Sequence, residues 1–386
     1  MMNNNIIHIA SDEKFINSAH WQFENAFPNS NIFYIFTTDK SKDFKYVTPQ
    51  PNIRKFDISS DLSSFLTSLS VNQILIFHSL SESFFPLILQ LPKNVQCVWL
   101  CFGYEIYTDK RFFKEASLYD SITQKRFGKG EAKSRHLLLD SVRHYIRRVN
   151  KKLPLSSFEI KKRAISRMDY IASSFIEEQE AIQKLIKQKK KTFPFWYYPI
   201  EQMVNINEII VHERNAIIIG NSGTMSGNHL DAFDKIKLLS WTERTVIVPL
   251  SYGNQTYIKE ILEEGKATFG AQFMPLTDFM PLNAYNQIIK QCGVALLCNY
   301  RQQAVGNTIS LLWFGCKVFL STNNPFYHYL KRIGVEVFSY ETDLNDQSSL
   351  ELLSNETIQK NRKALLNHLN TNLLQAELKE AIAKMR

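Results

Sequence analysis

Short apolar runs of strand length alternate with helical stretches twice along this chain, and that alternation limits the fold more than any other feature. In the first part "NIIHIA", "NIFYIFTT", "NQILIFHS" and "VQCVWLCFG" are rich in Ile, Val, Phe and Tyr and end in polar or small residues. Each reads as a buried strand. Helical stretches fit between them, around Ser18–Phe27 and Leu62–Leu69. "MDYIASS" adds a strand, and the Pro-bounded aromatic run "FPFWYYPI" fits a crossing between domains. A second series follows: "NAIIIG", a helix from His229, "TVIVPLSYG", a short strand near Ala271–Met274, "GVALLCNY" and "KVFLST", with helices between. Strands linked through helices form parallel sheets with covered faces. The expected fold is therefore α/β, two Rossmann-like doubly wound parallel-sheet domains facing a cleft.

The chain has 386 residues, too many for one ordinary core. The expected boundaries are an N-terminal acceptor-side domain over 1–200, a C-terminal domain over 201–357 and a long helical tail over 358–386 that packs back across both. No apolar run reaches about 18 residues, so no membrane-spanning helix is expected. "MMNNNIIHIASDEK" has no basic region or long apolar stretch and does not read as a secretory signal. The five cysteines are odd in number and lie mostly in apolar segments. They read as reduced core residues of a cytoplasmic protein, and Cys97 and Cys101 lack the second pair a zinc site needs.

Charge is unevenly placed. Lys110–Arg167 holds seventeen Lys/Arg and five Asp/Glu, a net +12 against +9 for the whole chain. That favours one localised anionic partner over general nucleic-acid binding. Within it "HLLLDSVRHYIRRVNKKL" can form a basic amphipathic helix suited to an anionic membrane surface, or one docked on its own domain. Lys184–Lys191 can add to that surface. Stacking aromatics are too sparse there for an RNA-binding reading.

The stretch "IIIGNSGTMSGNHLDAF" (Ile217–Phe233) leads from a strand through small residues into a helix. Such a turn admits a phosphate to free N–H groups at a helix N-terminus. It matches neither G-x-x-x-x-G-K-[ST] nor G-x-G-x-x-G, so a P-loop NTPase is excluded. "NYRQQAVGNTISLL" repeats the logic, with Arg301 able to grip a diphosphate in forked geometry. In the first half His78 and Glu105 follow strands, where either could take a proton from a hydroxyl. No D-x-D stands near a strand end, so no metal is expected.

As a set, "GNSGTMSGNH", "VPLSYGNQTYI", "RQQAVGNTISLLWFG", "NNPFYHYL", "FHS" and "FGYEIY" resemble glycosyltransferase family 56, the TDP-N-acetylfucosamine:lipid-linked-oligosaccharide transferases of enterobacterial common antigen synthesis. The resemblance implies a GT-B architecture with the nucleotide-sugar held mainly by the C-terminal half. It implies donor contacts from Gly220, Asn221, Ser222, Gly223, Ser226 and His229, with Tyr252 and Gly253 on the base side. Arg301, Gln302, Gln303, Gly306, Asn307 and Thr308 would face the sugar or phosphate, and Asn324 and Pro325 would close the pocket. Glu105 or His78 would serve as base if the reaction inverts, with Gly103, Tyr104 and Tyr107 on the acceptor side. The implied donor is a dTDP-sugar without a cofactor. The implied acceptor is a lipid-linked saccharide at the anionic inner face of the bacterial inner membrane, where the protein would be peripheral. Five positions depart from the family pattern: Phe102 replaces Trp, Glu105 replaces Asp, Ile106 replaces Leu, Ser79 replaces the Gly after His78, and Ala304 replaces the Gly after Arg-Gln-Gln; the basic segment after Tyr107 is also longer. The residues alone leave open a non-catalytic nucleotide-sugar-binding partner, a different donor sugar, or another surface polysaccharide.

Overall fold

The computed structural model describes residues 6–128, 142, 146, 154–208, 214–239, 241 and 243–386. The chain divides into two compact units: Met1–Phe113, Ala132–Tyr198 and Asn372–Arg386 form the first, and Lys114–Glu131 and Pro199–Thr371 the second.

The first unit carries β1 (Ile6–Ala10), β2 (Asn31–Phe36), β3 (Ile53–Phe56), β4 (Ile74–His78), β5 (Gln96–Leu100), β6 (Tyr170–Ala172) and β7 (Lys191–Thr192), in the order β3-β2-β1-β4-β5-β6-β7. Every pairing is parallel. The central strands β1 and β4 are buried at every residue, as a sheet covered on both faces requires. β3 has the sequence IRKF and sits at the edge, half exposed. Its two adjacent cations break the apolar run, so the sequence pattern does not mark it as a strand.

The second unit carries β8 (Ala216–Ile219), β9 (Val246–Pro249), β10 (Phe273–Leu276), β11 (Cys292–Leu297), β12 (Lys317–Leu320) and β13 (Phe338–Ser339), in the order β10-β9-β8-β11-β12-β13. Again all pairings are parallel. In each sheet the strand order reverses once in the middle, between β1 and β4 and between β8 and β11. Connections diverge at such a point and leave a crevice at the carboxyl ends of the two strands, where open α/β sheets bind ligands.

Two segments group differently from the sequence reading. Residues 114–131, expected with the N-terminal half, belong to the second unit. Their short helix Ser121–Phe127 begins where the Asp231 carboxylate accepts the Ile122 and Thr123 amides at 2.6 and 3.0 Å. The tail is two helices, Asn355–Leu369 and Thr371–Ala383, separated by an extended Asn370. The first stays in the second unit. The second buries Leu378, Ile382 and Met385 in the core of the first unit, in a cluster with Ile6 and Val98.

All five cysteines are free and buried. Among the described residues no helix is long and apolar enough to cross a membrane.

Candidate functional site

In the second unit the glycine-rich turn after β8 and the Arg-Gln-Gln turn after β11 flank the reversal of strand order. Gln303 clasps them together. Its amide nitrogen reaches Thr224 Oγ1 at 2.9 Å, Ser222 Oγ at 3.3 Å and Asn221 Oδ1 at 3.4 Å. Its carbonyl oxygen accepts Asn299 Nδ2 at 3.0 Å and Ser226 Oγ at 3.1 Å. One side chain thus sets the shape of both turns. Arg301 folds back onto the Gln302 carbonyl, with Nη1 at 3.1 Å.

Gly220 has φ +71, and a Cβ there would lie 2.2 Å from His229 Nε2. The position needs glycine for both its conformation and its space. His229 is fully buried beneath the turn, with Nδ1 3.2 Å from the Tyr257 hydroxyl. It lies below the loop, with Nε2 facing Gly220. Gly223 donates its amide to the Tyr252 carbonyl at 2.7 Å, and a Cβ on Gly253 would sit 2.2 Å from Gly223 O. The turns after β8 and β9 therefore touch backbone to backbone, leaving Tyr252 56% exposed above them.

Asn324 caps the helix Pro325–Arg332, its Oδ1 accepting the Phe326 amide at 3.0 Å. Asn307 reaches the Tyr285 hydroxyl at 3.4 Å. Thr308 is buried and bonds the Ala304 carbonyl within its own helix, whereas Gly306 is exposed. Four buried polar atoms in these turns have no hydrogen-bond partner: His229 Nε2, Asn299 Oδ1, Gln302 Oε1 and Asn324 Nδ2. A buried polar atom without a partner costs about 1–3 kcal/mol. They lie at the ends of β8, β11 and β12, where a polar ligand or a water molecule would satisfy them.

In the first unit the reversal point holds a buried polar chain. His78 Nε2 lies 3.0 Å from His8 Nδ1, His8 Nε2 lies 3.4 Å from Asn31 Oδ1, and His78 Nδ1 lies 2.9 Å from the Tyr197 hydroxyl. The Asn31 amide group donates to Phe23 and Phe27 carbonyls, so its oxygen must accept from His8. It follows that both rings carry their proton on Nε2 and that Tyr197 donates to His78. Burial holds both rings neutral, His78 at about 3 and His8 well below its ordinary value. His78 was expected as a base meeting the acceptor. It is instead 1% exposed with both nitrogens engaged.

Tyr197 stacks on Phe102 at 4.9 Å. Phe102 leads into Gly103, whose φ is +83, and the short helix Tyr104–Tyr107. Tyr104 is exposed, whereas Tyr107 and Glu105 are buried. Glu105 Oε1 accepts the Trp99 indole N–H at 3.2 Å and the Phe102 amide at 3.3 Å, and burial pushes its carboxyl up. Glu105 too differs from a solvent-facing base: it ties the loop to β5.

Two departures from the family pattern have a backbone explanation. Ser79 has φ +77 and Ala304 has φ +58, a region that costs an L-residue about 1–2 kcal/mol. Glycine is the residue these turns favour. Ala304→Gly is expected to raise the unfolding free energy by about 0.5–1 kcal/mol, after the greater freedom of glycine in the unfolded chain is subtracted. Ser79→Gly is expected to gain less, because Ser79 is buried and its side-chain packing would be lost. Urea unfolding of both variants checks this, and a lowered midpoint for Ala304→Gly would contradict it.

The basic segment is partly neutralised within its own fold. Lys161 is buried with Nζ 2.8 Å from Asp109 Oδ2, and Arg111 Nη2 lies 2.6 Å from the same carboxylate. Despite burial these cations hold Asp109 down at about 2. Arg126 pairs with Glu260 and with Glu264, and Arg167 Nη2 donates to the Pro92 and Val95 carbonyls. The expected amphipathic helix lies outside the described residues except Val142 and Ile146, which are helical and 53% and 48% exposed.

Sequence reasoning did not single out His8, Tyr197, Asn228, Asp231, Tyr257 or Asn299. His8 sits inside an apolar run that reads as core, Tyr257 sits in a mixed helical stretch, and only Asn228, next to Gly227, carries a turn signal.

Solved structures with the same fold include the trehalose-6-phosphate phosphatase N-terminal domain of Candida albicans (TM-score 0.63, 10% identity, covering 99% of this chain and 96% of that one). The UDP-forming alpha,alpha-trehalose-phosphate synthase of Burkholderia vietnamiensis matches at TM-score 0.60 and 10% identity over 99% and 100% of the two chains. An alpha-glucosyltransferase solved with UDP and DNA matches at TM-score 0.53 and 11% identity over 98% and 100%. At such identities the likeness shows the fold, that of GT-B glycosyltransferases. The family model described as 4-alpha-L-fucosyltransferase, glycosyl transferase group 56, matches residues 160–383. That span exceeds half of the chain and includes every turn joined by Gln303, so the chain belongs to glycosyl transferase group 56 and is a nucleotide-sugar-dependent glycosyltransferase.

Proposed function

We propose that this enzyme transfers a deoxy-amino sugar of the N-acetylfucosamine type from a dTDP-sugar to a lipid-linked saccharide during bacterial surface polysaccharide synthesis, without a metal ion. The observation that carries the reading is the Gln303 clasp at the reversal point of the second sheet, with partnerless buried polar atoms in the turns around it. In this reading Asn221, Ser222, Gly223 and Ser226 present the turn to the diphosphate. Arg301 leaves the Gln302 carbonyl to meet it, Gln302 lies beside it, and Tyr252 borders the base. Oriented amides and the guanidinium stabilise charge on the departing diphosphate, the duty a metal would otherwise perform.

The acceptor belongs to the first unit. Exposed Tyr104 meets it, while Gly103, Glu105 and Tyr107 shape the loop, and His78 holds Tyr197 against Phe102. The basic segment seats the enzyme on the anionic inner leaflet. The exposed pair Val142 and Ile146, one helical turn apart, supports an apolar face there.

A thermal-shift screen of dTDP, UDP, GDP and CDP with EDTA present tests the donor class. The expected result is the largest rise in melting temperature with dTDP, since a ligand selective for the folded state stabilises it. A preference for another nucleotide would move the donor class, and no response to any of them would remove the donor site.

A further inference from the structure

The donor turns do not complete themselves. Residues 118–127 leave the first unit's stretch of sequence and lie against them in the second unit. Asn228, in left-handed conformation at φ 53, spends its whole side chain on this contact. Its Nδ2 donates to the Leu118 carbonyl at 3.0 Å and to the Cys298 carbonyl, just past β11, at 2.9 Å. Its Oδ1 accepts the Asp120 amide at 2.9 Å. Three residues on, the Asp231 carboxylate accepts the Ile122 and Thr123 amides and the Thr123 hydroxyl, the last at 2.6 Å.

Two further links reach the turns themselves. Tyr300, which precedes Arg301, lies near the Asp120 carboxylate, whose pKa burial raises. Thr123 lies near the hydroxyl of Tyr257, which in turn holds the His229 amide and ring beneath Gly220. Apolar packing seals the contact: Ile122 and Phe127 lie on the second unit's core. Asn228 and Asp231 are 0% and 4% exposed. A buried carboxylate is retained where several donors satisfy it, and losing that charge loosens all of them together.

We infer that residues 118–127 are a strap that presets the two donor turns, with Asn228 and Asp231 as positioning residues that lock it. The inference rests on the donor reading of this site. It adds that donor affinity depends on a segment more than ninety residues earlier in the chain, and that neither Asn228 nor Asp231 need touch the donor. A preset turn pays less ordering entropy when the ligand arrives.

The test compares full-length wild type, Asp231→Asn, Thr123→Val and Asn361→Ala. Asn361 is a control of similar kind: it is buried and bonds both backbone groups of Glu336, which precedes β13. Calorimetry with dTDP is expected to show about tenfold weaker binding in Asp231→Asn, equivalent to about 1.4 kcal/mol. Thr123→Val keeps the carboxylate and is expected to weaken binding in the same direction if Asp231→Asn folds poorly. Without any ligand, the amides of residues 221–229 are expected to exchange about tenfold faster in both variants. Asn361→Ala is expected to lower the melting temperature yet leave dTDP affinity and that exchange unchanged. Unchanged exchange and affinity in Asp231→Asn and Thr123→Val, or an equal loss in Asn361→Ala, would overturn the strap. If wild type bound none of the nucleotides, the donor reading would fail and the exchange measurement alone would decide the strap.

Discussion

Gln303→Ala is expected to weaken dTDP binding on the order of a hundredfold, the largest single effect in the donor turns. The substitution deletes one side chain but strands several partners. Asn299 Nδ2, Ser226 Oγ and Thr224 Oγ1 all lose their contact with it. Each buried group left unpaired costs about 1–3 kcal/mol, although Thr224 keeps Ser222 at 3.2 Å and Asn299 Nδ2 keeps the Ser226 carbonyl at 3.1 Å. Part of that loss falls on the free protein as disorder in both turns, and the rest appears as lost affinity, where about 2.7 kcal/mol is a hundredfold. Calorimetry with dTDP reads the affinity directly. Binding within twofold of wild type would show that the turns hold their shape without the clasp.

The second large effect is acid lability from buried neutral histidines. His8, His78 and His229 are fully buried, with His78 held at about 3 and His229 at about 4, chiefly by loss of solvent. Unfolding returns each to about 6.5. Between pH 6.5 and pH 4 the unfolded chain therefore binds protons that the folded chain refuses. Stability is complete above pH 6.5 and falls as the pH drops, by about 1.4 kcal/mol per pH unit for each histidine once it is charged in the unfolded chain. Three together approach about 4 kcal/mol per unit. Glu105, shifted upward by burial, works in the opposite direction. Asp109, held at about 2, adds to the loss as the unfolded chain's carboxylates take up protons below about pH 5. Urea unfolding at pH 7, 6 and 5 checks the slope. A midpoint that stayed level across that range would mean that the His8–His78 pair accepts charge in the folded state.

These effects separate what the sequence pattern could reveal from what it could not. The fully buried strands β1, β4, β8 and β11 are continuous apolar runs, and such runs need no partner to be recognised. The sequence pattern does not mark β3, β7 and β13, because these edge strands are short and the exposed positions of β3 and β7 are charged or polar. The turns after β8 and β11 stood out through glycine and the Arg-Gln-Gln run. Their pairing across the strand reversal is a matter of strand order, which local periodicity does not encode. His78 was noticed for its chemistry but misjudged for its place. A strand that ends in histidine looks the same whether the ring faces solvent or a second histidine seventy residues earlier. The role of Asp231 and Asn228 is not legible in any motif, because their partners are fixed only when residues 118–123 fold against them.

The same argument explains the segment 110–167. Its charge is visible in the sequence as a block, yet Arg111, Lys161, Arg126 and Arg167 each hold partners in the fold. A charge count cannot distinguish cations that hold a structure together from cations offered to a surface.

The central claim is nucleotide-sugar-dependent transfer driven by the second unit's turns. Its most direct measurement is nucleoside diphosphate release from a panel of dTDP-, UDP- and GDP-sugars, with lipid-linked saccharide acceptor in anionic vesicles and EDTA present. The account predicts release from a dTDP-linked deoxy-amino sugar, matched one for one by sugar appearing on the lipid, undiminished by EDTA and lost in Gln303→Ala. Binding of dTDP without any release, or release that stops when divalent metal is chelated, would contradict it.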